Sequence, residues 1–195
     1  MHDRTRYLLK QIGLSPREIQ AVGLPPLHQI TDRPEGFGLL GGNGAGKTWH
    51  MANRIGMAIQ AMVDGCPNPA EARMPNRFAR WRNWPDTAET FKAWVGQGFT
   101  QDVEDLVDQL CSCRELYLDD LGQERIAKVD DYALGFLRNI LDARYRDNLP
   151  VFWTSNLVPV ELGQTYGART ASRMLSAWPP IPVRCQDLRL GGRVS

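Results

Sequence analysis

The chain has little cysteine, four residues in 195. That is too few for a disulfide scaffold, so stability has to come from a hydrophobic core, which a chain of this length can bury. Histidine is scarcer still, at positions 2, 28 and 50, and no C-x-x-C pair exists. Cys111 and Cys113 therefore lack the companions of a zinc site and read as buried or incidental. Long apolar runs are also missing. Stretches such as Pro150-Val151-Phe152-Trp153 are strand-sized, against the roughly 20 residues of a membrane helix. The start, Met1-His2-Asp3-Arg4-Thr5-Arg6, leads into no signal-peptide core. These absences give the expectation of a reduced, cytoplasmic protein with no membrane partner. Neither sign of charge dominates: the net charge is +1, which says nothing about nucleic acid. Internal repeats and low-complexity segments are absent. With 43% hydrophobic and 23% charged residues, global disorder is excluded.

Lysine is rare too. Of 23 basic residues, only positions 10, 47, 92 and 128 are lysine, and the other 19 are arginine. Arginine suits phosphate and carboxylate recognition through its planar fork, although a GC-rich genome gives the same bias. The segment from Asp102 to Asp120 is acidic. From Arg169 onward five arginines face one acid, Asp187.

Along the chain, Ser15-Pro16-Arg17-Glu18 is a capping box with proline at the first helical position, and Gly23 is a natural stop. Gly36–Leu40 reads as a buried strand, and Lys47 to about Met62 as a helix. Residues 65–76, with three prolines, read as a loop. Phe78–Trp84 is a candidate strand, and Asp86-Thr87-Ala88-Glu89 a candidate helix start. Gln101–Leu110 looks helical. Glu115–Leu118 is an apolar strand ending on two carboxylates. Asp130–Arg146 is a long helix with Ala133, Phe136, Leu137, Ile140, Leu141 and Tyr145 on one face. Val151–Thr154 is another buried strand. Leu162–Leu175 holds one or two helices, and Ile181–Arg184 is a candidate last strand. Strands alternating with helices mean an open parallel sheet, here of about five strands, with helices on both faces.

The chemistry concentrates in Gly41-Gly42-Asn43-Gly44-Ala45-Gly46-Lys47-Thr48, which fits G-x-x-x-x-G-K-[ST]. In such a P-loop the glycines let backbone N–H groups curl around a phosphate, and the following helix points its positive end at the same anion. Lys47 is placed to reach β/γ oxygens of ATP, and the Thr48 hydroxyl to ligate Mg²⁺. A P-loop needs a further acid. Leu116-Tyr117-Leu118-Asp119-Asp120 supplies one on a strand expected to lie beside the P-loop strand. Asp119 is the candidate metal group and Asp120 the group that polarises the attacking water. Thr154-Ser155-Asn156 ends the next strand, where a polar side chain can reach the γ-phosphate or the water. Arg169 and Arg173 lie four apart, on one helix face. Arg77-Phe78-Ala79-Arg80-Trp81-Arg82-Asn83-Trp84 interleaves basic and aromatic residues. It reads either as a single-strand binding surface or as an edge strand with alternating faces.

The run of Gly36–Thr48, Leu118-Asp119-Asp120-Leu121-Gly122, Thr154-Ser155-Asn156-Leu157 and Arg169-x-x-x-Arg173-Met174 resembles the AAA+ ATPases of the DnaC-like helicase-loader type. The IstB-like transposition helpers share it. The likeness runs from about residue 30 to the end. It implies an AAA+ core over 30–195 with no C-terminal lid domain, preceded by a short helical extension over 1–29. It implies Asn156 as sensor 1, Arg173 as an arginine finger acting in a homo-oligomer, and Arg189 as the closing arginine of sensor 2. Arg138, Arg144 and Arg146 fall on the helix that faces the central channel in related ATPases, where the alternatives are DNA contact and a solvated face. The implied function is an ATPase of low basal activity that binds single-stranded DNA and loads a hexameric replicative helicase, in a phage or mobile-element version. A transposition helper on duplex DNA and a non-hydrolysing, nucleotide-gated adaptor remain alternatives.

Overall fold

The computed structural model describes residues 1–23, 33–98, 101–123 and 131–183. The elements run α1 (Asp3–Ile12), α2 (Pro16–Ala21), β1 (Gly36–Leu40), α3 (Lys47–Asp64), β2 (Ala79–Asn83), α4 (Trp84–Gly96), α5 (Gln101–Ser112), β3 (Glu115–Leu121), α6 (Asp131–Arg146), β4 (Val151–Ser155), α7 (Pro159–Tyr166), α8 (Ala168–Ala177) and β5 (Pro180–Pro182). Among the described residues the five strands form one sheet in the order β2-β3-β4-β1-β5. Every neighbouring pair is parallel. The expected doubly covered α/β sheet is present.

One expectation about the sheet is corrected. The acidic strand β3 does not lie beside the P-loop strand β1, because β4 stands between them. All five residues of β4 are buried, as a strand paired on both edges and covered on both faces requires. A second correction concerns α4. It starts at Trp84, not at Asp86; Asn83 is its cap, and the Asn83 side chain accepts from the Asp86 N–H at 3.3 Å. Pro85 sits in the first turn, where its missing N–H costs nothing, and Trp84 is buried.

Alternation along the strands separates two cores. Leu116 and Leu118 of β3 face α4, α5, α6 and α8, whereas Tyr117 faces the opposite side. On that opposite side one register row carries an aromatic residue on each of four strands. Trp81 is paired with Tyr117, Tyr117 with Phe152, and Phe152 with Phe37. Their rings lie 5.7, 4.8 and 5.3 Å apart in turn. The Arg54 guanidinium covers the Phe152 ring at 3.7 Å and joins Glu115 at 2.9 Å. Such cross-strand contacts lock register. They bring the C-terminal ends of β1, β2, β3 and β4 level, and the polar residues that matter lie just beyond the row.

Helices α1 and α2 belong to the same core. Leu8, Leu9, Ile12 and Ile19 are buried with Met51, Ile55 and Ile59 of α3. The capping box at Ser15 forms as expected, with Glu18 accepting from the Ser15 N–H. The end of α2 reaches α3 closely because Gly56 has no side chain. A Cβ there would meet Val22 at 2.3 Å.

Candidate functional site

The loop between β1 and α3 needs backbone that only glycine adopts cheaply: Gly44 and Gly46 have φ of 74° and 79°. Lys47 opens α3 and is buried. Its Nζ donates to the carbonyls of Gly41 at 2.7 Å and Gly42 at 2.9 Å, and to Asn156 Oδ1 at 2.5 Å. The Asn156 amide nitrogen donates in turn to Asn43 Oδ1 at 2.7 Å. The end of β4 is thus tied to both limbs of the loop.

The acidic pair occupies an irregularity in β3, where the register with β4 shifts between Leu118 and Leu121. Such a bulge re-aims side chains. Asp120 takes a left-handed conformation, φ 61°, which is costly for a residue with a Cβ and is common at functional positions. Its N–H donates to Thr154 Oγ1 at 2.8 Å, and its carboxylate accepts from the Asn83 amide at 3.5 Å. Asp119 points inward and is 1% exposed. It accepts from Thr48 Oγ1 at 3.0 Å and Thr154 Oγ1 at 2.7 Å. Burial, and then the charge of Asp120, push the Asp119 carboxyl up to about 7, against the pull of the two hydroxyls.

These groups line a cleft of about 400 Å³ that holds Lys47, Thr48, Asp119, Asp120 and Asn156 together. Among the described residues no cluster of three or more His, Cys, Asp or Glu could hold a metal ion. The donor set fits Mg²⁺, which takes one or two protein oxygens and completes its shell with water and phosphate. The buried Asp119 carboxylate with the Thr48 hydroxyl beside it is such a pair.

Sequence reasoning missed several residues of the cleft. Asn83 was hidden by the late placement of the α4 start. Arg17 and Glu18 of α2 also line the cleft. No local signal marks them; they arrive through the packing of α2 on α3, where Trp49 Nε1 donates to the Ala21 carbonyl at 2.7 Å.

Other expected residues lie elsewhere. Arg173 is on α8, paired with Asp142 of α6 and 5.4 Å above the Tyr145 ring. It does not line the cleft of its own chain. Arg189 lies outside the described residues. Arg144 is corrected outright as a DNA-contact candidate, because it is fully buried. Its guanidinium donates to the carbonyls of Leu110 at 2.9 Å, Cys113 at 2.8 Å and Pro150 at 2.7 Å. Tyr145, expected on the buried face, is instead 42% exposed. Arg138 and Arg146 are exposed. The segment from Arg77 to Trp84 contains the edge strand β2, with Trp81 and Trp84 each 1% exposed and so unable to stack on bases. Cys113 is buried and Cys111 half-buried.

The fold is that of AAA+-type P-loop domains, a five-stranded parallel sheet with the glycine-rich loop between β1 and α3. Structures of the DnaC-like kind that the motifs resemble are among its neighbours in fold. The chain is similar to the DnaC helicase loader, with a TM-score of 0.64 and 17% identity over 87% of this chain and 100% of that one. It is similar to DnaI, with a TM-score of 0.62 and 22% identity over 89% of this chain and 94% of that one. A third solved structure, the replication initiator DnaA bound to AMPPCP and single-stranded DNA, matches with a TM-score of 0.57 and 14% identity over 93% of this chain and 50% of that one. At these identities the likeness is one of fold. No protein-family model and no curated protein sequence matches the chain. Among the described residues no helix is long and apolar enough to cross a membrane.

Proposed function

We propose that the protein is an ATP-hydrolysing DNA replication factor that loads a hexameric replicative helicase and assembles into oligomers with ATP. The observation that carries the nucleotide reading is the buried Lys47, bonded at once to the loop carbonyls and to Asn156. A polyphosphate entering the loop offers Lys47 stronger, charge-assisted partners than these carbonyls. The loop N–H groups and the start of α3 hold the same phosphates. Thr48 and Asp119 would hold Mg²⁺, which supplies charge neutralisation at the β/γ oxygens. Asp120 orients and polarises the attacking water, with Asn83 holding its carboxylate, and Asn156 steadies the γ-phosphate end. Arg173 acts on the nucleotide of the neighbouring subunit, where an arginine stabilises charge developing in transfer. Arg138 and Arg146 are the exposed arginines of α6 available to single-stranded DNA.

The helicase-loading part rests on the motif resemblance together with the similarity to DnaC and DnaI in fold. Its test is co-purification of the full chain with the hexameric helicase of the same replicon, with and without Mg·ATP. ATP-dependent co-elution and a preference for single-stranded DNA are expected. A preference for duplex DNA, with capture of a transposase instead, would replace helicase loading by transposition.

A further inference from the structure

The cleft has a wall that the P-loop motifs do not account for. Four of its lining residues, Ser15, Arg17, Glu18 and Ala21, come from α2 and its cap. Helix α2 is fixed there by three independent contacts with α3. The Ala21 carbonyl accepts from Trp49 Nε1 at 2.7 Å, the Gly23 N–H donates to Asn53 Oδ1 at 2.7 Å, and Ile19 is buried in the shared core. Trp49 directly follows Thr48, so the docking point of α2 lies next to the candidate Mg²⁺ ligand.

The position of α2 along the cleft is also defined. Ser15 and Glu18 line the adjoining groove together with Asn83 and Asp86. Glu18 and Asn83 also line the cleft together with Asp119 and Asp120. Helix α2 therefore borders the end of the cleft where Asp119, Asp120 and Asn83 lie. Arg17 and Ala21 are four residues apart and share one helical stripe, which brings Arg17 onto the cleft side.

Charge then separates the α2 residues. The lining includes three carboxylates, Glu18, Asp119 and Asp120, and two cations, Lys47 and Arg17. Lys47 is buried and committed at the base of the loop, whereas Arg17 is exposed at the rim. The terminal γ-phosphate carries more charge than either of the other phosphates of a triphosphate, and a forked guanidinium is a matching donor for it.

We infer that Arg17 is a nucleotide-binding residue contributed in cis by the N-terminal helical segment, contacting the γ-phosphate of a bound nucleoside triphosphate. The inference rests on the nucleotide-site reading above and deepens it. Helix α2 becomes part of the nucleotide site, and triphosphate and diphosphate become distinguishable to the N-terminal segment.

The test is a calorimetric titration of the full chain with Mg·ATP and with Mg·ADP. The parent is compared with Arg17→Ala, Arg17→Lys and Lys47→Ala, and with Arg6→Ala as an exposed arginine outside the cleft lining. Arg17→Ala should weaken Mg·ATP about tenfold and Mg·ADP less than about threefold, as expected for one lost charge-assisted contact at an accessible position. Arg17→Lys should recover part of the loss, and Arg6→Ala should match the parent. The melting temperature of Arg17→Ala should equal that of the parent, because the side chain is exposed. Mg·ATP affinity within about twofold of the parent, an equal loss for both nucleotides, or a loss accompanied by a lowered melting temperature would each overturn the inference. Lys47→Ala separates the two levels. If it weakens binding by about two orders of magnitude while Arg17→Ala leaves binding intact, only the role of Arg17 fails. If Lys47→Ala binds like the parent, the nucleotide-site reading fails as well.

Discussion

Asn156 Oδ1 accepts a hydrogen bond from Lys47 Nζ at 2.5 Å, across 109 residues of sequence. The same amide reaches Asn43 on the other limb of the loop. A polyphosphate that draws Lys47 away from this contact is therefore felt directly at the end of β4. Lys47→Ala should weaken ATP binding by about two orders of magnitude, as the loss of a buried, charge-assisted phosphate contact implies. Asn156→Ala should retain binding to within several-fold but lower turnover. Calorimetric titration and steady-state phosphate release separate the two effects.

The acidic pair should divide its roles. Asp120→Asn should bind Mg·ATP normally, because Asp119 and Thr48 remain, yet turnover should fall and ATP-bound assemblies should persist. An Asp120→Asn variant that hydrolyses at the parental rate would remove Asp120 from the water-positioning role. Persistence of assemblies is read by size-exclusion chromatography in Mg·ATP.

Asp119 carries a cost in the nucleotide-free fold. Its carboxyl is raised to about 7 by burial and by Asp120, against about 4 in an unfolded chain. A raised carboxyl means that the ionised form opposes folding. The nucleotide-free protein should therefore lose stability through this group as pH rises from about 4 to about 7, and hold level above. Asp119→Asn should raise the melting temperature, and by more at pH 8 than at pH 5. The same variant should abolish the Mg²⁺ dependence of nucleotide binding. Thermal melts at the two pH values, with titrations in Mg²⁺ and in chelator, read both effects.

Arg144 should prove structural. Its guanidinium ties the end of α5 and the starts of β3 and β4 through backbone carbonyls. Arg144→Ala strands several buried carbonyls and should cost about 3–5 kcal/mol, measured by denaturant unfolding. Arg138→Ala with Arg146→Ala should leave the fold unchanged and lower the salt dependence of single-stranded DNA binding by about 0.7 per lost phosphate contact. An unchanged log–log slope would place DNA elsewhere.

Arg173 pairs with Asp142 within its own chain and lies outside its own cleft. If it serves the neighbour's nucleotide, Arg173→Ala should bind ATP but lose roughly 10³-fold in turnover. Mixed with Lys47→Ala, it should recover activity, since a mixed interface joins an intact loop to an intact arginine. No recovery despite co-assembly would leave Arg173 with its structural contacts to Asp142 and Tyr145.

The legible part of this molecule is the part written in local spacing. Gly41–Thr48 announces its own geometry, because the glycine positions, the lysine and the following helix are all contiguous. The capping box at Ser15 and the strand ending on Asp119 are local in the same way. The insertion of β4 between β1 and β3 is not local, and only the burial of both faces of Val151–Ser155 hints at it. Arg144 was legible in part: it continues the buried stripe of Ala133, Leu137, Ile140 and Leu141, while Tyr145 falls off it. Its charge argued for the surface, yet the free carbonyls at the end of α5 accommodate a buried guanidinium. Arg17 and Glu18 reach the cleft through the packing of α2 and Val22 on α3, at Gly56, Trp49 and Asn53 among others, which no sequence pattern encodes.

The most direct measurement of the central claim is phosphate release from Mg·ATP by the parent chain and by Lys47→Ala, across a range of protein concentrations. Release by the parent should rise more than linearly with concentration, with none above background from Lys47→Ala. Equal rates from the two proteins, or no release by the parent at any concentration even with helicase and single-stranded DNA added, would contradict that claim.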